Sequence, residues 1–288
     1  MRPDDQRLTL TSEIEHHAVL HACRAAERMG FPVQYLRVDQ QGTVQPEALK
    51  NSITDRTKLV SVMLVNNEIG TVEPIAELAE IAHTDAVQAV GHIPVDVQMQ
   101  GVDMLSASAH KFNGPKGIGF LYVRRGTELY PYADGGAQES GMRAGTENAA
   151  GNTGMAAAQQ KNCRMMREND MHMRKLEQDF LDVLNSAGID YVRNGAPEHL
   201  PGNVNISIRG ANGEMLLHRL DLKGICISTG SACDSVNTQV SHVIKATGVP
   251  GDYAEGTIRI TFGAGNQPDD GGEIAKVIVS ILKKQRLI

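Results

Sequence analysis

Cysteine is scarce in this chain and nowhere clustered. The four residues, Cys23, Cys163, Cys226 and Cys233, form no Cys-x-x-Cys pair. That excludes the usual zinc-finger spacing and gives no disulfide framework; a reducing compartment fits such usage. Positive charge is also short, with 28 Lys and Arg against 34 Asp and Glu and a formal net charge of -6. A basic face for direct nucleic-acid binding is therefore not expected. No apolar run approaches the roughly 18–20 residues that cross a bilayer, and the polar start from Met1 to Arg7 lacks the apolar stretch of a secretory signal. These absences predict a cytoplasmic protein without a membrane segment.

What is present suffices for a sizeable core. The chain has 288 residues, 41% of them hydrophobic, enough for two domains at about 150 residues each. Strands are predicted at Leu8–Thr11, Val33–Val38, Leu59–Val65, Val102–Ala107 and Ile118–Val123. Leu59–Val65 is nearly continuous in apolar residues, as in a strand buried on both faces. Ser12 and Glu15 have capping-box spacing, ahead of a helix whose inner face is Val19, Leu20, Cys23 and Ala26. Further helices are predicted over Pro46–Ile53 and from Pro74 through Ala82, with proline suiting a first helical turn. This order is the α/β signature of a mostly parallel sheet. The character changes near Gly135: a long helix carries Leu176, Phe180 and Leu184. Val204, Ile206 and Ile208 alternate as in a half-buried strand, Ile225–Ser228 and Ile258–Phe262 are apolar, and a last helix runs through Ile274 and Ile281. Residues 1–145 thus read as a larger α/β domain and 146–288 as a smaller α+β domain. Cys23 and Cys226 read as core residues, and Cys163 as incidental on a polar helix.

A few residues carry possible chemistry. Lys111 follows an apolar strand and precedes Gly114-Pro-Lys-Gly117. A lysine held at a strand end and partly desolvated can form a Schiff base, although in isolation it reads more readily as a solvated turn lysine. Ser108 and His110 beside it can donate to a phosphate. Asp85 enters a polar turn; an aspartate can hold a pyridinium nitrogen protonated, and alone would be a helix cap. Gln88 carries no signal alone. His16 opens a helix, where an imidazole can stack on a cofactor ring or move a proton or simply face solvent. Asn67 sits in a turn and can hydrogen-bond a substrate or cofactor oxygen, or merely close a bend. Arg259 breaks the alternation of Ile258, Ile260 and Phe262, and its guanidinium can grip a carboxylate bidentately or make a salt bridge between domains. Cys233, among small residues in Ser228-Thr-Gly-Ser-Ala-Cys233, reads as an accessible thiol able to present a thiolate.

Taken together these segments resemble a known family. Glu15-His-His-Ala-Val19, Val65-Asn-Asn-Glu-Ile-Gly70, Asp85-Ala-Val-Gln88, Ser108-Ala-His-Lys111, Gly114-Pro-Lys-Gly-Ile-Gly119, Arg143-Ala-Gly-Thr146, Ser228-Thr-Gly-Ser-Ala-Cys233 and Thr257-Ile-Arg-Ile260 are similar, in order, to motifs of the NifS/IscS-like cysteine desulfurases, relatives of class V aminotransferases. The resemblance implies fold type I of the pyridoxal 5'-phosphate (PLP) enzymes, a mostly parallel central sheet plus a smaller C-terminal domain, and a homodimer. It implies that Lys111 carries PLP, Asp85 pairs with the ring nitrogen, Gln88 with the phenolic oxygen, and His16 stacks on the ring. Ser108, His110 and the partner subunit's Thr146 would hold the phosphate, and Asn67 and Arg259 the carboxylate of L-cysteine. Cys233 would be the nucleophile that ends as a persulfide, with L-alanine as product. The sulfur would pass to an acceptor protein such as an iron–sulfur scaffold, or toward a thio-cofactor or nucleic-acid modification. A selenocysteine lyase-like enzyme, or a truncated non-catalytic relative acting as a scaffold, are the alternatives it leaves open.

Two family features have no counterpart. The small-residue phosphate turn that precedes the first strand, often Ser-Gly-Ala-Thr-Glu, is absent, so the N-terminal segment of the family is missing. His83 also runs almost directly into Thr84-Asp85, where the family has a turn and a buried strand. The shortfall is on the order of 5–6 residues; losing a central strand would break the sheet beside Asp85, so the sequence is expected to lack segments of a longer protein.

Overall fold

The computed structural model describes residues 7–78, 82–230 and 240–284. Its first half is built on strands β1 (Leu8–Ser12), β2 (Val33–Leu36), β3 (Thr57–Ser61), β4 (His83–Asp85), β5 (Met104–Ser108) and β6 (Gly119–Val123). They lie side by side in the order β2-β1-β3-β4-β5-β6, parallel except for β6, which returns antiparallel to β5. Parallel neighbours need long crossovers; helix α1 (His17–Arg28) supplies one and helix α2 (Pro46–Ser52) lies in another. Leu10, Leu36, Leu49, Val60, Val62, Leu105 and Phe112 form the core.

Helix α3 (Ala149–Ser186) leads into a second sheet of β7 (Tyr191–Arg193), β8 (Asn203–Ile208) and β9 (Thr257–Thr261), antiparallel in the order β7-β8-β9. Helices α4 (Gly213–Asp221) and α7 (Asp270–Lys284) complete this half, with short α5 (His242–Ala246) and α6 (Gly251–Ala254) between. Leu176, Phe180, Leu184, Val204, Ile206, Ile258 and Ile278 pack together there. Met155 and Ala158, earlier on α3, instead pack against the first core.

The structure corrects several expectations. The sheet is not broken before Asp85. β4 occupies the central place, with Ala82 N donating to Val60 O at 3.1 Å, Leu64 N to Asp85 O at 2.9 Å and Met104 N to the Ala82 carbonyl at 2.7 Å. The His83 ring bridges both neighbours, Nδ1 to Ser61 Oγ at 2.8 Å and Nε2 to Ser106 Oγ at 3.1 Å. Of the helix predicted from Pro74 through Ala82, the described residues 75–78 form a turn, with Leu78 N donating to Pro74 O at 3.1 Å.

The Ser12–Glu15 pair is a hydrogen bond, 2.7 Å, but both residues are buried and precede the helix; His16 is the true N-cap. β8 is buried on both faces, because its polar face turns toward the first half, where Asn205 Nδ2 donates to Glu68 O at 3.1 Å. Cys226 is exposed while Cys23 is buried, and Ile225–Ser228 forms only a single bridge, Ser228 to Arg259.

Candidate active site

Of the sequence-predicted residues, His16, Asn67, Asp85, Gln88, Ser108, His110 and Lys111 lie at or after the C-terminal ends of parallel strands, where ligands of open α/β sheets bind. After β1 the chain turns through Ile14 and Glu15 into His16. His16 Nδ1 accepts the Ala18 N–H at 3.1 Å, which leaves the ring proton on Nε2. Burial lowers the His16 pKa; Asp85 opposes this, while His17, Lys111 and His242 add to it. His16 is therefore a neutral imidazole at pH 7.

Asp85 ends β4 and is 7% exposed. Its carboxylate accepts one hydrogen bond among the described residues, from Val87 N at 2.9 Å, so accepting capacity remains. Gln88 is half-buried in the same turn.

After β5, a single 3-10 turn, Ala109–Phe112, sends Ala109 and Phe112 into the core and His110 and Lys111 outward. The expected partial desolvation of Lys111 is thus not provided by this chain: its side chain is exposed, and Nζ has no hydrogen bond or ion pair among the described residues. Its backbone is held, because His92 Nε2 donates to Lys111 O at 2.8 Å and Asn162 Nδ2 to Phe112 O at 2.7 Å. Ser108 Oγ and His110 Nδ1 meet at 2.8 Å. Thr146 lies exposed just before α3.

The turn after β3 is closed by Asn66, whose Oδ1 accepts Glu68 N and Ile69 N at 2.9 and 3.0 Å and whose Nδ2 reaches Ile14 O at 2.9 Å. Gly70, at φ +74, completes it where a Cβ would press on Asn203. Asn67 meets Arg259 through its backbone, with Arg259 Nη1 donating to Asn67 O at 2.8 Å. This bond links the two halves through a backbone carbonyl rather than through a salt bridge. Cys233 lies outside the described residues. The described chain stops at Gly230, just past Ser228, which pairs with Arg259. It resumes at Val240, shortly before His242, whose Nε2 donates to Glu15 O at 3.2 Å.

Comparison with known proteins decides the family. The model described as aminotransferase class-V matches residues 2–270. The chain is 45% identical over 287 residues to cysteine desulfurase IscS of Dictyoglomus turgidum, covering 97% of this chain and 73% of that protein. It is 43% identical to the IscS of Methanosarcina thermophila, covering 98% and 72%. The chain belongs to the cysteine desulfurases of the class-V aminotransferase family. A solved NifS-like protein superposes with a TM-score of 0.89 at 34% identity, covering 98% of this chain and 76% of its own. The fold is that of the type I PLP enzymes, and like its relatives this cysteine desulfurase depends on PLP.

The residues present fit that cofactor. A buried carboxylate with an uncommitted oxygen, a neutral ring within electrostatic reach of it, and a lysine whose amine is unengaged stand at one sheet end. Sequence reading missed Asn66, His92, Asn162 and Glu15, which hold the turns in place. Glu15 is fully buried; Oε1 accepts Met63 N at 2.8 Å, and Oε2 has no partner. Burial pushes its carboxyl up to about 8. An acid whose folded pKa is raised contributes stability below its unfolded value near 4.5 and loses it as pH rises toward 8. Glu15→Gln should therefore flatten the decline in stability between those limits, by on the order of a kcal/mol or more. Urea midpoints at both ends of the window would test this; equal slopes in the two proteins would show that Glu15 is not strained by ionisation.

Proposed function

We propose that this desulfurase takes sulfur from L-cysteine onto Cys233, leaving L-alanine, with residues 1–145 as the cofactor-binding unit and 146–288 as the unit that carries Cys233. The observation that carries the reading is the placement of Lys111, Asp85 and His16 around one sheet end, beside both described flanks of the Cys233 segment. PLP supplies an electron sink for the substrate's α-carbon. Asp85 would hold the ring nitrogen's proton, and Gln88 would hydrogen-bond the phenolic oxygen. His16, uncharged, would lie against the ring. Ser108 and His110 would hold the phosphate, together with the partner subunit's Thr146. Asn67 and Arg259 receive the substrate carboxylate, and the Asn67 carbonyl orients the guanidinium. Lys111 Nζ would hold the cofactor and serve as the base for the substrate's α-proton. The Cys233 thiolate then attacks the substrate sulfur: an S–S bond forms, the C–S bond breaks, and its electron pair stays on the carbon that is protonated to the alanine methyl.

The persulfide then awaits a thiol acceptor protein, such as an iron–sulfur scaffold. A homodimer in the cytoplasm is the working form in this reading. It is supported by the edge strand β6 and the segment after it, which expose Leu121, Val123, Tyr130, Tyr132 and Met142, an apolar surface of the kind that marks an interface. The PLP-loaded protein should release alanine from L-cysteine in step with persulfide, and should run at twice the chain mass in light scattering. Alanine formation from L-selenocysteine alone would move the assignment to a selenocysteine lyase. A monomer with full activity would remove Thr146 from the site.

A further inference from the structure

A cleft of about 450 Å³ opens between the turn after Pro74, the segments at Ile93 and Gln100, helix α3 and the Glu198–His199 pair. That is the size of sites that hold small organic ligands, and no step above uses it. Its inner wall includes Leu64, Ile75 and Ile93.

Two buried acceptors on this lining have no donor among the described residues. Glu73 is 2% exposed; Oε2 accepts Val44 N at 3.0 Å, while Oε1 has no partner. Gln100 Oε1 is likewise buried and unpartnered. A buried acceptor left without a donor is costly, so the lining is matched to a ligand rich in N–H groups. The charges agree. Glu77, Asp170 and Glu198 also line the cleft. Of its two basic residues, Arg174 is paired with Asp170 at 3.0 Å and His199 with Glu177 at 2.8 Å.

We propose that this cleft binds an organic cation, a guanidinium or ammonium group on a short apolar stem, with Glu73 and Gln100 accepting its N–H donors and Leu64, Ile75 and Ile93 meeting the stem. Burial pushes the Glu73 carboxyl up to about 8, with Asp39 adding to the shift and Glu15 electrostatically coupled to it. The arriving cation must therefore displace a proton, and Glu77, Asp170 and Glu198 favour it, against Arg174 and His199. Binding should tighten as pH rises toward 8 and level off above it.

The test is calorimetric titration of the PLP-loaded protein with N-butylguanidinium, which lacks the primary amine that would react with PLP, and with the neutral isostere N-butylurea. The expected result is saturable binding of the cation only. It should be about tenfold or more tighter at pH ~8.5 than at pH ~6, with a proton released near neutrality. Glu73→Gln should weaken it by about tenfold or more. Ala76→Phe, at an exposed position on the rim, should do the same without touching the buried carboxylate, and so covers the case in which the first variant fails to fold. A blocked Gly-Arg-Gly peptide distinguishes the source: binding would mean that a protein side chain is accepted, and its failure beside a bound N-butylguanidinium would mean a free small cation. Equal affinity for the urea, or binding unchanged in Ala76→Phe, would overturn the site.

Discussion

Replacing Lys111 with alanine should remove both the visible absorption of lysine-bound PLP and the turnover of L-cysteine. The expectation follows from geometry. The 3-10 turn leaves Ala109 and Phe112 in the core and points Lys111 outward, with its amine uncommitted and its backbone fixed by His92 and Asn162. The side chain is thus expendable for the fold, so the variant should keep the melting behaviour of the parent. Its loss removes the attachment point and the base together. Proton transfer by a positioned group is commonly worth about 10²–10⁴ in rate, and the covalent role adds to that, so a fall of roughly 10³ or more is expected. The spectrum is the sharper readout. A variant that still showed the band would place the linkage on another lysine, Lys116 being the first to examine.

Cys233→Ser should separate the sulfur step from cofactor binding. A hydroxyl is not ionised near neutral pH, whereas an accessible thiol is partly thiolate and a strong nucleophile. The variant should load PLP with an unchanged spectrum and bind L-cysteine, yet yield neither alanine nor a protein persulfide, again with a loss of about 10³ or more in rate. Persistent alanine formation would point to a different thiol. Cys226 is the one to test, being exposed and close in the chain to Ser228, whose backbone pairs with Arg259. The two variants are diagnostic as a pair, since one should lose colour and activity and the other activity alone.

How much of this was legible in the sequence depended on how local each cause was. The apolar runs at Leu8, Leu59 and Val102 gave β1, β3 and β5 to within about four residues, because buried strands write their environment into consecutive residues. The motifs at Glu15–Val19, Val65–Gly70, Asp85–Gln88 and Ser108–Lys111 were readable too, each at or just past a strand end. The helix predicted from Pro74 is described only to Leu78, where it is a turn; its periodicity said nothing of the distance to β4. The pairing of Val60, Leu64 and Met104 with residues 82–85 set that distance. Ser12 and Glu15 had the spacing of a cap and proved to be a buried pair, since the Met63 amide that Glu15 accepts is 48 positions away. Asn66, His92 and Asn162 were silent for the same reason: each bonds a carbonyl 19 to 52 positions distant. Exposure of Lys111 and Cys226 was also invisible, because a turn's outward direction is set by what packs beneath it.

Helix α3 joins what the two sheets keep apart. Its 38 residues extend about 57 Å at the usual rise, with Met155 and Ala158 seated in one core and Leu176, Phe180 and Leu184 in the other. A single hydrogen-bonded rod shared in this way makes the two cores melt as neighbours on one axle. Amide exchange along α3 should therefore show two plateaus, each matching the core that grips that end, with the crossover between Ala158 and Met173. Any force that tilts the sheet bearing Arg259 is carried along the same rod to Asn162, and from there to the carbonyl next to Lys111.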